Sequence, residues 1–599
     1  MVGLHVYNNL DGIDTSNDHT ATLQLEEWHG KKEYFNDGIL SIDCSFYKGY
    51  PINQYKDEDV IILYEGMIYN RTDEEVFEFC KSIPKKDNDS LFIKNQIANF
   101  VDLSDGDYII LIYNIKSKQY IIFNDLIGRL PFYYYSNSKL FIGGRSIPFI
   151  LHNIPQICLN KNALTEFLMI EFLIGKDTFF KDIKRLSPAE ILIINSKNDS
   201  LQIIAQFAIK ESFIAENLFK DKEEALSELY KEYTQATKNR IETLESQGYN
   251  ILNTLSGGFD SRAVFGSMNN ITQNFTNVTY EYIQDESIIA KQLLEKTNSK
   301  ARFVKLSFNN EADYFDSSLI FRTGCSVNIY TSSVCYNDSL FMKKVILNNT
   351  NAVFGGFGGE FIRHPYYPLT VNPYTYLCYY CSCLPIQMLL PIFNISSSDF
   401  KKFMMSTLSQ YEEKSKEGIY KHLYNEYYRN YVVGAGEDRM RMFVWTLHPL
   451  MSASFLKIIR KRVPLKWSNF QFFIDFISRI DSRLLDIPIF GKSVNLKDKD
   501  SIKQLTPTNQ KRITALIIIF LRKYILRFYD WRIRDKSNSI EFDKFESFYQ
   551  KLDFYKPLFN FGYIKKKYNK WPISLKRGLL SITMYLYELE KNYKYKLTK

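Results

Sequence analysis

The sequence predicts a mixed α/β chain of two unlike parts with a helical remainder. Three observations carry this. Residues 1 to about 205 hold short apolar strands and few helices. From 206 to about 370 strands and helices alternate. Beyond 371 the chain runs in long apolar and charged segments with few strand signals. At 599 residues it is too long for one core, and two or three domains are expected. The boundaries read as 1–205, 206–500 and a basic helical extension, 501–599.

In the first part, Val60–Tyr64, Tyr108–Tyr113 and Tyr120–Phe123 are short apolar strands. Turns fall at Ser104-Asp105-Gly106-Asp107 and at Asn114–Lys118. Asn162–Leu173 reads as a helix, with Leu164, Phe167, Leu168 and Phe172 near one face. In the second part, a helix over Lys222–Glu245 leads into a strand at 251–255. Phe275–Tyr280 and Ala301–Leu306 follow as strands, with a helix over Glu286–Lys296 between them. Strand–helix–strand alternation predicts a parallel, doubly wound sheet. Ligands of such sheets bind beyond the C-terminal ends of the strands, where Ser256 and the Thr279–Tyr282 region would lie.

Composition excludes several classes. Hydrophobic content of 45% and charged content of 24% fit a soluble globular protein. The 43 Tyr and 46 Phe reflect a drift toward Lys, Asn, Ile, Tyr and Phe, and indicate no function. A net charge of +9 is modest at this length, and no dense basic block with interleaved aromatics forms a nucleic-acid groove. No secretory signal opens the chain, and the apolar run Ile513–Leu521 is too short to span a bilayer; a buried helix is expected there. The eight Cys form no disulfide framework, and Cys378, Cys381 and Cys383 lack a fourth metal ligand nearby. Buried thiols in a reducing cytoplasm are expected.

The most informative stretch is Ile251 to Val264, with Leu255-Ser256-Gly257-Gly258-Phe259-Asp260-Ser261 at its centre. An apolar strand runs into two glycines and then into a helix start favoured by Asp260 and Ser261. Free N–H groups and the positive end of the helix dipole would face one hollow, which suits a phosphate chain. Asp260 could hold magnesium beside it. No Lys follows the glycines, so this is not the G-x-x-x-x-G-K-[ST] phosphate loop. The S-G-G-x-D-S spelling resembles the pyrophosphate loop of ATP pyrophosphatases, which cleave ATP between its α and β phosphates. A second loop, Phe354-Gly355-Gly356-Phe357-Gly358-Gly359-Glu360, repeats the pattern of strand, glycines and carboxylate.

Further segments extend the likeness. Gly66-Met67-Ile68-Tyr69-Asn70, Asp105-Gly106-Asp107, Asn124 to Tyr134 and Thr178 to Pro188 resemble, in order, the glutaminase domain of asparagine synthetases and the bridge that follows it. The loop with Gly356, Gly358 and Glu360 resembles that family's G-x-G-x-D-E loop, with Glu360 on the magnesium-binding Asp and one methylene longer. The resemblance covers roughly residues 50 to 495. It implies an N-terminal nucleophile hydrolase-like αββα domain, followed by an ATP-pyrophosphatase domain with a doubly wound parallel sheet and a helical C-terminal part.

The implied reaction joins a carboxylate (aspartate, an analogue, or a natural-product or peptide carboxylate) to ammonia or an amine. ATP and magnesium are the implied cofactors, and AMP and pyrophosphate the products. Leu255, Ser256, Gly257, Gly258, Asp260, Ser261, Gly356 and Gly358 would hold ATP and pyrophosphate, and Asp260 and Glu360 would hold magnesium. Lys492 and Lys466, whose spacing is close to that of two family lysines, would stabilise the transition state.

Two departures matter. The family's glutaminase nucleophile is a Cys exposed at the N-terminus, with its own amine as base. Here the chain reads Met1-Val2-Gly3 and the nearest Cys is Cys44, so a glutaminase fold without glutaminase activity is expected. The family's E-x-R-x-P-F-L-D segment is also altered. Trp445 and Leu447 take the Glu and Arg positions, and Glu437, Asp438 or His448 stand as replacements. A ligase for another carboxylate, or a nucleotide-binding scaffold without catalysis, remains an alternative.

Overall fold

The computed structural model describes residues 2–13, 18–23, 27–83, 90–197, 200–208, 217–281, 285–307, 352–363, 371–409, 437–489, 496, 509–524 and 542–598. Two antiparallel six-stranded sheets form the first part. One contains β1 (Gly3–Asn9), β2 (Gly30–Asn36), β3 (Leu40–Phe46), β8 (Tyr133–Ser136), β9 (Leu140–Gly144) and β11 (Lys184–Arg185), in the order β11-β8-β9-β1-β3-β2. The other contains β4 (Ile52–Lys56), β5 (Val60–Ile68), β6 (Gly106–Asn114), β7 (Gln119–Asn124), β12 (Glu190–Lys197) and β13 (Ser200–Ala208), in the order β13-β12-β7-β6-β5-β4.

The three expected strands lie in β5, β6 and β7, with longer bounds. They are buried nearly throughout because each face is covered. Val2, and Leu4 and Val6 of the first sheet, share one core with these strands. Helices α1 (Asp73–Ser82) and α2 (Ser90–Leu103) pack on the second sheet, and α3 (Ile147–Asn153) packs on the first. The layers therefore run helix, sheet, sheet, helix. Thr72 and Glu75 start α1 with a reciprocal capping box. The helix expected over Asn162–Leu173 is α4, Lys161–Ile170, and it stops where Glu171 turns left-handed.

The second part contains the predicted parallel sheet. Its strands are β14 (Ile251–Thr254), β15 (Thr276–Glu281), β16 (Arg302–Ser307), β17 (Ala352–Phe354) and β18 (Trp445–Leu447), in the order β16-β15-β14-β17-β18. Helices α5 (Lys222–Ser246), α6 (Phe259–Ile271) and α7 (Ser287–Thr297) accompany it. From β14 the chain builds outward to β15 and β16, and β17 and β18 then lie on the opposite side. The strand order thus reverses between β14 and β17, the kind of crevice where open α/β sheets bind ligands.

Among the described residues beyond 371 the chain is mainly helical, as expected, with Trp445–Leu447 added as a buried strand of the parallel sheet. The run Ile513–Leu521 lies in the helix Asn509–Tyr524, and its described side chains, from Leu516 on, are only partly buried, against the expectation of a buried helix. Ile518 and Ile519 face inward, while Leu516, Ile517 and Phe520 are exposed. No single described helix is long and apolar enough to cross a membrane.

Residues 542–598 pack against the N-terminal part. The helix Ile573–Tyr593 lies on α4, with Gly578 beside Leu168. Strand β19 (Leu597–Thr598) pairs in parallel with β10 (Ile157–Cys158). Cys378 and Cys383 lie in or against this second core, whereas Cys381 is exposed, against the expectation of a buried thiol. No group of three or more His, Cys, Asp or Glu side chains that could hold a metal ion occurs among the described residues.

Candidate functional site

Strand β14 delivers Leu255, whose amide bonds to the Val278 carbonyl at 2.9 Å and whose carbonyl accepts from Thr279 Oγ1 at 2.6 Å. These bonds fix the point at which the chain leaves the sheet. Gly258 then caps the 13-residue α6 in extended conformation. The loop folds back on itself: Ser256 N–H donates to Ser261 Oγ at 3.2 Å, and Ser261 Oγ donates to the Ser256 carbonyl at 3.0 Å. Gly257 N–H donates to Glu286 Oε2 at 2.6 Å, so one loop amide already meets an anion. Arg262 is fully buried. It donates to the carbonyls of Gly257, Leu484, Ile487 and Pro488, which holds the loop against that segment. Burial brings its guanidinium down to about 10.

The second loop leaves the neighbouring strand β17 and meets the first. A Cβ on Gly356 would fall 2.7 Å from Ser261 N, and one on Gly359 would fall 1.9 Å from Asp260 Oδ1. Only glycines allow this approach. Gly358 has φ +114° and lies against the Leu450 carbonyl. Arg363, one turn further on, bonds Asp260 Oδ2 at 2.7 Å and lies 3.3 Å from Glu360 Oε1. Burial pushes the Asp260 carboxyl up to about 7; Arg363 opposes the shift and Glu360 adds to it.

Asp260 and Glu360 are hard oxygen donors on two touching loops, and Asp260 Oδ1 is buried with no hydrogen-bond partner. That donor chemistry fits magnesium, with Arg363 as the cation now beside it. Ser256, Gly257, Gly258, Asp260, Ser261, Gly356, Gly358 and Glu360 are thus gathered at one place, with Leu255 at its base. Lys466 is exposed, its ammonium 6.0 Å from the Trp467 ring centre. Lys492 lies outside the described residues, as does Tyr282. Sequence reasoning gave no role to Arg262, Glu286, Gly359 or Arg363.

Between the N-terminal sheets and the parallel-sheet part lies a buried charge network. Glu65 accepts from Leu4 N–H at 2.7 Å and Arg145 Nε at 2.8 Å, and also from the Tyr50 hydroxyl. Arg145 in turn pairs with Asp438. Asp107 meets Arg129 at 2.9 Å and Arg441 at 3.0 Å, and Arg441 meets Glu437 at 2.6 Å. Burial pushes the Asp105 carboxyl up, but the Arg240 fork and the Ala453 amide hold it below its ordinary value. Cys44, opposite Leu4 in the sheet, is fully buried; burial and the neighbouring carboxylates of Glu65 and Asp43 raise its thiol well above the usual range. Such a thiol is inert.

The same network takes up the residues suggested as pocket replacements. Glu437 and Asp438 are fully buried in ion pairs. His448 is wedged against Gly355, with its imidazole driven down to about 3, first by burial and then by Arg129. Trp445 donates to the Tyr69 hydroxyl at 3.2 Å inside the core. A separate cleft of about 800 Å³ lies between β4, β5 and α5, lined by Asn53, Asn70, Arg71, Asp73, Asn239 and Glu242 among others.

The family model of the glutamine amidotransferase domain matches residues 41–204, so the N-terminal part is a domain of glutamine amidotransferase type. No curated protein sequence matches the chain. Among solved structures, the glutamine phosphoribosylpyrophosphate amidotransferase of B. subtilis, complexed with ADP and GMP, is 10% identical, with a TM-score of 0.23 over 42% of this chain and 60% of that one. The U34-tRNA thiolase of Methanococcus maripaludis is 12% identical, with a TM-score of 0.20 over 50% and 80%. The glutamine-dependent NAD+ synthetase of Acinetobacter baumannii is 13% identical, with a TM-score of 0.18 over 44% and 58%. This chain therefore spans less than two thirds of the first of these structures, and likeness of this extent carries no argument about activity.

Proposed function

We propose that the chain is an ATP-dependent amide-bond-forming ligase of the asparagine synthetase kind. The observation that carries the reading is the meeting of two glycine loops, with Asp260 and Glu360, at the strand-order reversal between β14 and β17. The amides of the 256–261 loop and the start of α6 would bind the polyphosphate, with Gly356 and Gly358 closing over it. Asp260 and Glu360 would hold magnesium, which when bound supplies neutralisation of phosphate charge.

The substrate carboxylate, that of aspartate or an analogue, attacks the α-phosphorus. A carboxylate oxygen–phosphorus bond forms, the bond to the bridging oxygen breaks, and pyrophosphate leaves. Ammonia or an amine then attacks the acyl carbon, the bond to the AMP oxygen breaks, and the proton of the nitrogen is lost to solvent. The side chain of Lys492, with Lys466, would neutralise charge developing at the α-phosphate. Glutamine would not supply the nitrogen, because Cys44 is a buried thiol of raised pKa and Glu65 is bound up with Arg145 beside β1.

A second reading, ligation of a different natural-product or peptide carboxylate, is favoured by Trp445–Leu447. That stretch is buried strand rather than pocket wall. Pyrophosphate release from ATP–magnesium, measured with pools of carboxylates and amines for the wild type and Asp260→Ala, tests both. Release that needs one carboxylate and vanishes in the variant supports a ligase and names its acid. No release with any pool, alongside retained ATP binding, would leave a nucleotide-binding scaffold.

A further inference from the structure

The guanidinium of Arg363 sits where the two glycine loops meet. It bridges Asp260 Oδ2 at 2.7 Å and Glu360 Oε1 at 3.3 Å. Its carbon lies 5.9, 5.5 and 5.0 Å from the ring centres of Phe259, Phe470 and Phe473. Only 12% of the side chain is exposed. Three aromatic rings and two carboxylates therefore fix a permanent cation beside the first turn of α6. A guanidinium fork accepts phosphate in the same bidentate geometry as carboxylate, so the partners can exchange without rebuilding the site. Asp260 and Glu360 alone would repel an incoming polyphosphate; with Arg363 the cluster carries one negative charge fewer.

We propose that Arg363 is a polyphosphate-binding residue of this site, and the counter-cation that neutralises Asp260 and Glu360 until nucleotide and metal arrive. This rests on the nucleotide reading of the two loops. No Lys follows the glycines of the first loop, and Arg363 supplies the positive charge from the second.

The test uses the full chain and two probes. Inorganic pyrophosphate without metal is titrated by calorimetry into the wild type, Arg363→Ala and Arg363→Lys. Manganese is titrated by electron paramagnetic resonance without nucleotide. Arg363→Ala should bind pyrophosphate at least about tenfold more weakly, and Arg363→Lys should recover part of the loss, since it keeps the charge but not the fork. Manganese should bind Arg363→Ala more tightly than wild type, and the gain should disappear when Asp260→Asn is added. Circular dichroism checks folding; if Arg363→Ala does not fold, Arg363→Lys against Arg363→Gln gives the same comparison. Equal pyrophosphate and manganese affinities in wild type and charge-removed variant would overturn the proposal while leaving the nucleotide reading standing. Failure of every protein, wild type included, to bind pyrophosphate or ATP–magnesium would overturn both.

Discussion

Gly359 leaves the space that the Asp260 carboxylate fills: a methyl group there would lie 1.9 Å from Oδ1. Gly359→Ala must therefore push Asp260 out of place. We expect loss of ATP-dependent pyrophosphate release and overpacking that costs about 1–3 kcal/mol of stability. Gly562→Ala is the control, since nothing lies within 4 Å of a Cβ there. Full activity in Gly359→Ala would show that the loops do not act together.

Glu286 places a carboxylate on the Gly257 amide that a phosphate oxygen would use. Glu286→Gln removes that negative charge but keeps the shape. Pyrophosphate should bind the variant several-fold more tightly, a gain of about 1 kcal/mol. Weaker binding would mean that Glu286 supports the loop instead of competing for it.

Asp260 titrates at about 7, against 3.8 for a free side chain, because it is buried and lies beside Glu360, with Arg363 opposing. The native state therefore holds a proton that the unfolded chain has lost between about pH 4 and pH 7. Stability from this group falls as pH rises through that window. Thermal melting of ligand-free wild type against Asp260→Asn should show the wild type losing ground from pH 4 to 7, with a constant difference above. A difference that does not vary with pH would refute the assignment.

Asp438 balances Arg145 at a fully buried place, and Glu65 shares that arginine. Asp438→Ala leaves the guanidinium with one carboxylate, and should destabilise by about 3–5 kcal/mol in denaturant unfolding. Glutamate release from glutamine should be absent in wild type and in Cys44→Ser alike. Release that depends on Cys44 would reverse the reading of the N-terminal domain.

The Ser256–Ser261 loop and the glycines after Phe354 were legible because their chemistry is local: strand, glycines and carboxylate follow one another in a few residues. The β5, β6 and β7 strands were legible as apolar runs. Arg363, Glu286 and Arg262 were not, because each acquires its role from a partner on another element, and a lone charged residue signals nothing by spacing. Trp445–Leu447 hid for a different reason. Three residues are too few for periodicity, and their place in the sheet is set by Ala352–Phe354, far back in the chain. The Glu437–Asp438 acids looked like site candidates because sequence shows charge but not the Arg145 and Arg441 that bury it.

The pairing of Leu597 with Ile157 has a consequence in time. The Thr598 hydroxyl reaches the Ile157 carbonyl across 441 residues of sequence. A ribosome delivers the N-terminal sheets long before it delivers the strand and helix that cover α4 and β10. Until then the apolar side of α4 is without its neighbour, a state that exposes chains to misassembly. Contacts of such separation also slow folding. Synthesis rate and chaperone supply should thus affect how much of this protein reaches its finished form.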